Sequence, residues 1–437
     1  MKQGWVKPTC GCLTPTSLIC IAALAAYLAI VYWLQVTPFS DFLAYYNGAR
    51  WLRAGTQLRS FAVFLQPPGY YLFLATLFAV SGSTSIYLPQ VFNAVTTSAL
   101  GFVLWRGRTF SQGRFGTVGL VLFLTSLNTW LLVPVLGTEI LFAALFLLGL
   151  DFAAKALISS DASPDQARAA LRAIAGGLCL GLSQAIRPVT IPFLVLLIGF
   201  SASVALLRRW FGYEDHWGAP RSRIWRFLLL VLLVTTTVAG CVYSAAGYGM
   251  RVSPVGSGTW SRFVAFNAVS ARGLTPGDSA VLSDLIQQDG WDFGRLKKDI
   301  GGLANERVAS GWLRQVARWP RRVWELVNPA ALTQWSIDAS PRQPQHLIYP
   351  VVRVLRLVGL LVFAATVIAA ARWLFAPRLR EREVIALCFA GSGLLYLAVH
   401  AFVLEVQARY SNHIWLLIFW LSPLVMRSLF PGKGTSK

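Results

Sequence analysis

A series of long apolar runs, separated by short polar segments, restricts the fold of this chain more than any other feature. A hydrocarbon core about 30 Å thick is crossed by roughly 20 helical residues, and backbone polar groups in lipid must be paired within the segment itself. The sequence therefore predicts an all-α polytopic membrane protein with about 10–11 transmembrane helices. The runs of crossing length lie at about 17–36, 86–105, 115–134, 138–154, 173–187, 188–207, 227–247, 351–371, 384–403 and 412–430, with a shorter run at about 68–80.

Composition agrees with this class. Hydrophobic residues make up 56% of the chain and charged residues 13%, whereas a soluble domain carries roughly a quarter charged residues. The net charge is +21, but the basic residues lie mostly in short loops between apolar runs, as in cytoplasmic loops of membrane proteins. We therefore predict contact with membrane lipid and no binding of nucleic acid.

The basic loops also predict an orientation. They lie near 106–114, 155–172, 208–226, 372–382 and 427–437. Placing all of them in the cytoplasm requires that the 68–80 run does not cross fully, as in a re-entrant or interfacial helix. This gives a multi-pass protein of the plasma membrane, such as a bacterial inner membrane, with both termini cytoplasmic.

Three parts follow from this topology. Residues 1–247 form a module of seven crossings with an acidic first outer loop at 37–67, residues 248–349 form a large extracytoplasmic segment, and residues 350–437 form the C-terminal transmembrane helices. The outer loops are expected to carry interfacial helices.

The large outer segment contains one amphipathic pattern. Apolar residues recur in steps of three or four, as in one face of a helix, while arginines lie mostly on the other face. Such a helix either lies in the headgroup layer or packs within a small outer domain, and the sequence leaves both alternatives open. The apolar positions are Trp312, Val316, Trp319, Val323 and Leu326.

Asp41 is the leading candidate for catalysis. It follows the first crossing and is the only acidic residue before Glu139. A carboxylate at the rim of the bilayer gains proton affinity from partial burial, which suits a general base that accepts a proton from a hydroxyl group. The alternative is structural, with Ser40 or Asp41 as the N-cap of a helix.

Several further residues are candidates for binding because charge at membrane level is costly. Arg50 and Arg53 break the usual depletion of arginine in outer loops, which indicates either bidentate phosphate binding or anchoring to lipid headgroups. Glu139 begins a crossing, where the helix dipole favours an acid, and Arg187 could pair with it. Near the C-terminus, Arg409, Tyr410 and His413 offer a cation, an aromatic ring and a hydrogen-bonding imidazole.

The chain lacks a glycine-rich phosphate loop and an Asp-x-Asp pair for a metal–nucleotide complex. A nucleotide-linked donor therefore has no visible binding motif, and candidates on the outer face favour a lipid-linked donor. We assign no metal ligands and no cofactor, and a divalent metal is possible but not indicated.

Five separated motifs resemble the GT-C fold glycosyltransferases that use polyprenyl-phosphate sugars, including the dolichyl-phosphate-mannose and aminoarabinose transferase relatives. They are Asp41 with Phe42, Tyr45, Ala49 and Gly55; Gln66-Pro67-Pro68-Gly69-Tyr70-Tyr71; Thr138-Glu139; Arg318-Trp319-Pro320; and Arg409-Tyr410. Their order along nearly the whole chain carries the resemblance.

The resemblance implies an inverting hexosyl or pentosyl transferase. Asp41 would be its general base, and basic and polar residues such as Gln66 and Tyr70 would bind a polyprenyl-phosphate sugar. The acceptor would be a glycan, a lipid or a protein. Two other classes are kept as alternatives: a secondary transporter or lipid flippase without covalent chemistry, and a non-catalytic assembly subunit.

Overall fold

The computed structural model describes residues 14–55, 67–112, 115–158, 166–213, 221–250, 262–266, 278–289, 293–328, 336–337, 339–342, 345–404 and 408–431. This part of the chain is helical and contains no β-strand, so the predicted fold class is confirmed. The helices are α1 (Pro15–Leu34), α2 (Ser40–Arg53), α3 (Pro68–Ser81), α4 (Tyr87–Gly107), α5 (Gly116–Leu124), α6 (Leu127–Leu132), α7 (Glu139–Ile158), α8 (Gln166–Ile186), α9 (Thr190–Trp210), α10 (Arg221–Met250), α11 (Asp278–Asp289), α12 (Phe293–Val327), α13 (Gln345–Phe375), α14 (Glu381–Val403) and α15 (Asn412–Leu429), with a 3₁₀ turn at Ala408–Ser411 before α15.

Seven helices in the described ranges are long and apolar enough to cross a membrane: α1, α7, α8, α9, α10, α13 and α14. The chain is therefore an integral membrane protein. Every apolar run marked in the sequence forms a helix, but the run at 115–134 is divided into α5 and α6. The division occurs at Ser126, whose hydroxyl caps the new helix by accepting from the backbone N–H of Thr129.

Described parts of three basic loops lie together at one end of the bundle. Arg208, at the end of α9, donates to the carbonyl of Ala376 after α13 at 2.8 Å. Arg382, in the first turn of α14, reaches the carbonyl of Arg108 after α4 at 3.5 Å. These ends of four helices therefore lie on one side of the bundle, as the distribution of basic residues predicts. We call the opposite end, where α7 and α15 begin, the site end.

Helix α3 is short, and both its flanks lie near the site end. Gly69 in its first turn approaches the end of α8, where a Cβ on Gly69 would lie 2.6 Å from the carbonyl oxygen of Ala185. After α3, the carbonyl of Thr84 accepts a hydrogen bond from the Tyr46 hydroxyl at 2.9 Å. Its 14 residues span about 21 Å, which is less than a hydrocarbon core. These contacts support an interfacial or re-entrant helix.

Glycines allow α8 and α10 to approach closely. Gly177 and Gly181 lie one turn apart on α8, and a Cβ on either would lie 2.6 Å from the Cβ of a valine on α10, Val234 or Val238 respectively. Helices in lipid associate through small residues that bring their backbones together. The glycine pair therefore sets the distance between these two helices.

Replacing both Gly177 and Gly181 with alanine is expected to lower the thermal unfolding temperature of the purified protein in detergent. Each new methyl overfills the α8–α10 contact, which typically costs about 1–3 kcal/mol. Gly199→Ala on α9 is the matched control, because a Cβ there meets nothing within 4 Å. Equal unfolding temperatures for the double variant and the control would contradict this packing.

The long helix α12 confirms the amphipathic helix expected in the outer segment. It contains all five apolar positions of the pattern, and Pro320 lies inside it. Its second half packs against the C-terminal end of α14, where Gln315 Nε2 donates to the carbonyl of Phe402 at 2.8 Å. The last carbonyls of a helix lack partners within that helix, and the hydrogen bond from Gln315 in α12 supplies a partner to one of them at the end of α14.

Candidate functional site

A buried charge cluster occupies the site end, where α7 and α15 begin and α8 ends. Glu139 is the first residue of α7, and its side chain is 2% exposed. Its Oε1 lies 2.7 Å from a guanidinium nitrogen of Arg187 and 3.8 Å from one of Arg409. The pairing of Glu139 with Arg187 expected from the sequence is present. These three side chains place two cations against one carboxylate.

Aromatic rings cover both guanidinium groups. The ring of Tyr410 lies 5.0 Å from Cζ of Arg187 and 5.2 Å from Cζ of Arg409. The ring of Phe42, from the first turn of α2, lies 5.1 Å from Cζ of Arg409. A ring face within about 6 Å attracts a cation, the more so when water is excluded. The rings therefore help to hold both cations beside the carboxylate of Glu139.

Arg187 and Gly137 together fix the position of the Glu139 carboxylate. Arg187 also donates through Nε to Thr138 Oγ1 at 2.8 Å, so it binds two consecutive side chains at the start of α7. A Cβ on Gly137 would lie 2.2 Å from Oε2 of Glu139 and 2.7 Å from the ring of Phe42. Glycine at 137 thus allows α2 and α7 to meet at the carboxylate.

Polar atoms without partners surround the cluster. Within the described residues, no hydrogen-bond partner is found for the Tyr70 hydroxyl, Glu139 Oε2, Asn412 Oδ1 or either ring nitrogen of His413. All four side chains are buried. Buried polar atoms are nearly always paired with protein or water. This concentration of unpaired donors and acceptors therefore indicates a place for a polar ligand or ordered water.

Aromatic packing positions two of these side chains. The ring of Tyr70, in α3, meets the ring of Tyr45, in α2, edge to face with centroids 5.1 Å apart. The imidazole of His413 lies 5.0 Å from the ring of Phe142 and 5.2 Å from that of Tyr396. The structure thus brings Tyr45, Tyr70 and His413, all candidates from the sequence, to the site end.

Arg50 and Arg53, also candidates from the sequence, lie away from the charge cluster. Both are exposed. Arg50 is eight residues beyond Phe42 on α2, about 12 Å along the helix, and its Cζ lies 5.6 Å from the ring of Tyr46. Arg53 donates to the carbonyl of Gly82 at 3.3 Å. The structure therefore separates these arginines from the charge cluster around Glu139.

Two residues singled out in the sequence fall wholly or partly outside the described part of the chain. Gln66 lies outside it entirely, and of Asp41 only the backbone is described. Asp41 is the second residue of α2, which has Phe39 at its N-cap, so neither Ser40 nor Asp41 holds the cap position. Because Phe42 lies against Arg409, the backbone of Asp41 adjoins the cluster.

Sequence reasoning missed two residues of the site. Asn412 donates through Nδ2 to the backbone carbonyl of Glu139 at 3.4 Å, joining the starts of α15 and α7. Phe42 was noted only as part of a motif, although its ring contacts Arg409. Asn412 could have been identified from the sequence because it lies close to the Arg409-Tyr410 pair. No local signal predicts the contact of Phe42.

Among the residues that the structure describes, no three histidine, cysteine or acidic side chains are grouped so that they could hold a metal ion.

Comparison with known proteins gave matches only among solved structures. No family model and no curated protein matches the chain. The oligosaccharyltransferase AglB from Archaeoglobus fulgidus, in complex with an inhibitory peptide and a dolichol-phosphate, is similar over 94% of this chain with a TM-score of 0.52 and 14% identity. The apo form of the Archaeoglobus fulgidus enzyme gives the same TM-score and identity over 95% of this chain. ArnT from Cupriavidus metallidurans, bound to undecaprenyl phosphate, is similar over 94% of this chain and 77% of its own length, with a TM-score of 0.43 and 12% identity.

The chain spans about half the length of the oligosaccharyltransferase, since the matches cover 50% of that protein. At this level of identity the likeness concerns the arrangement of the helices. It extends over nearly all of this chain. The chain therefore has the GT-C fold.

Proposed function

We propose that this protein is a membrane glycosyltransferase that moves a sugar from a polyprenyl-phosphate donor to an acceptor hydroxyl. The observation that carries the proposal is the buried charge cluster at the site end, where two guanidinium groups adjoin polar atoms without partners. Guanidinium groups pair with phosphate bidentately. The oligosaccharyltransferase with the same fold binds a dolichol-phosphate, which supports the same class of donor here.

In this proposal the arginines hold the donor phosphate and Asp41 activates the acceptor. Asp41 accepts the proton of the acceptor hydroxyl as the hydroxyl oxygen attacks the anomeric carbon from the face opposite the phosphate. The bond between the anomeric carbon and the phosphate oxygen breaks, and its electron pair leaves on the lipid phosphate. Attack from the opposite face inverts the anomeric configuration. Arg187 and Arg409 stabilise the charge that develops on the phosphate.

The site end would face the extracytoplasmic side, with the basic loops and both termini in the cytoplasm. A lipid carrier can deliver a sugar there without soluble nucleotide donors. The donor sugar is a hexose or a pentose in this proposal, and the acceptor is a glycan, another lipid or a protein. The residues proposed to contact the substrates also include Tyr45, Tyr70, Glu139, Tyr410 and His413, while the exposed Arg50 and Arg53 would meet lipid or a phosphate at the periphery.

Mass spectrometry of lipids and envelope glycans tests the proposal in cells with and without this protein. Cells without it are expected to accumulate a polyprenyl-phosphate sugar and to lose that sugar from one glycan, lipid or protein, because the final transfer is missing. Restoring the gene should reverse both changes. Unchanged covalent products, together with uptake of a solute or lipid by the protein in proteoliposomes, would instead identify a transporter.

A further inference from the structure

The second half of α12, residues 308–327, presents three distinct faces. One face binds the end of α14: Trp319 Nε1 donates to the carbonyl of Ala398 at 2.8 Å, and Arg322 Nε donates to the carbonyl of Ala401 at 2.7 Å. Helix α14 is one of the helices long and apolar enough to span the membrane. These bonds therefore place this part of α12 at the level where a membrane-spanning helix ends.

A second face is apolar and uncovered. Trp312 is 51% exposed, Leu313 65%, Val316 45% and Trp324 48%. At about 100° per residue these four side chains occupy an arc of about 120°. The centre of this arc lies about 110° around the helix from the face bound to α14. The apolar face therefore points sideways, roughly at right angles to the face that contacts α14.

The third face carries exposed arginines. Arg314, Arg318 and Arg321 fall within an arc of about 60°, about 150° from the centre of the apolar face. Glu325, on the same side, pairs with Arg321 at 2.9 Å. Three cations against one acid leave this face positively charged. An apolar face with tryptophan opposite an arginine face is the arrangement of helices that lie in a membrane interface.

We infer that residues 308–327 dock into the headgroup layer of an anionic lipid leaflet at the site end. The apolar face would enter the boundary of the acyl chains and the arginines would reach the lipid phosphates. Charge complementarity favours an anionic bilayer as the occupant, and the attachment to the end of α14 places the helix at the required depth. The inference concerns lipid contact and stands apart from the proposed transfer reaction.

Lipid docking would also act on the end of α14. Arg322 donates to the carbonyl of Leu404 as well, four residues before the Ala408–Ser411 turn that carries Arg409. A helix held in the headgroup layer would therefore hold the end of α14 at Leu404.

Fluorescent labelling of the full chain in vesicles tests the docking. Leu313→Cys carries an environment-sensitive label on the apolar face, and Arg314→Cys carries it on the adjacent polar position as the matched control, both in a variant whose native cysteines are replaced by alanine. In vesicles of phosphatidylcholine with phosphatidylglycerol, the label at 313 is expected to emit at shorter wavelength and to be quenched by lipids with spin labels on their acyl chains. The label at 314 is expected to emit as in water.

Three results would overturn the inference. The label at 313 could emit as in water, or it could be shielded yet unaffected by spin-labelled lipids, which would mean contact with protein. A third contrary result is that quenching at 313 stays the same when the vesicles contain phosphatidylcholine alone and also after combined Arg314→Gln, Arg318→Gln and Arg321→Gln substitution. That result would exclude anionic lipid as the partner. Quenching that falls in both conditions supports the docking.

Discussion

Replacing Asp41 with asparagine is expected to lower sugar transfer at least about 100-fold, because a general base typically contributes roughly 10²–10⁴ to the rate. Asparagine keeps the size of the side chain but cannot accept the proton of the acceptor hydroxyl. The measurement is the amount of sugar transferred by membranes from cells that lack the native protein and produce the variant, quantified by mass spectrometry of the product.

Two controls separate loss of the base from loss of the protein. Asp284→Asn changes an exposed acid on α11, far along the chain from Asp41, and should transfer sugar normally. Asp41→Asn should reach the wild-type level in the membrane and unfold at the wild-type temperature. Near-normal transfer by a well-folded Asp41→Asn would remove the catalytic role, while the charge cluster could still bind a lipid phosphate.

The fold could be predicted from the sequence because lipid imposes one simple rule. Each apolar run of sufficient length must be helical, and the basic loops between runs must favour one side. The division between α5 and α6 could not be predicted in this way. It depends on the Ser126 hydroxyl capping a new helix inside an apolar run, and an isolated serine in such a run usually bonds to a carbonyl of its own helix.

Only part of the site could be predicted from the sequence. Glu139 and Arg187 each flank a crossing at the same end of the bundle, so their pairing followed from topology. Arg50 and Arg53 share an outer loop with Asp41 in the sequence, but the helical rise of α2 carries them away from the cluster. The contact between Phe42 and Arg409 joins residues from opposite ends of the chain, and hydropathy contains no information about such a pair.

Glu139→Gln is expected to destabilise the protein by roughly 3–5 kcal/mol, because removing one partner of a buried ion pair leaves an uncompensated charge. The substitution keeps the shape of the side chain but leaves the buried guanidinium group of Arg409 and the largely buried one of Arg187 without this carboxylate. Thermal unfolding of the purified protein in detergent measures the effect. Glu325→Gln is the matched control, since its partner Arg321 is 80% exposed and an exposed pair contributes at most about 1 kcal/mol.

A double variant identifies the cause of the loss. If the unpaired charge of Arg187 is responsible, adding Arg187→Gln to Glu139→Gln should lower the free energy of unfolding by much less than Arg187→Gln does alone, because residues in direct contact are coupled. Costs that simply add would mean that Glu139 and Arg187 stabilise the fold independently. A Glu139→Gln protein that unfolds at the same temperature as Glu325→Gln would mean that the carboxylate is not needed to hold the arginines, which would then require another anion at the site end.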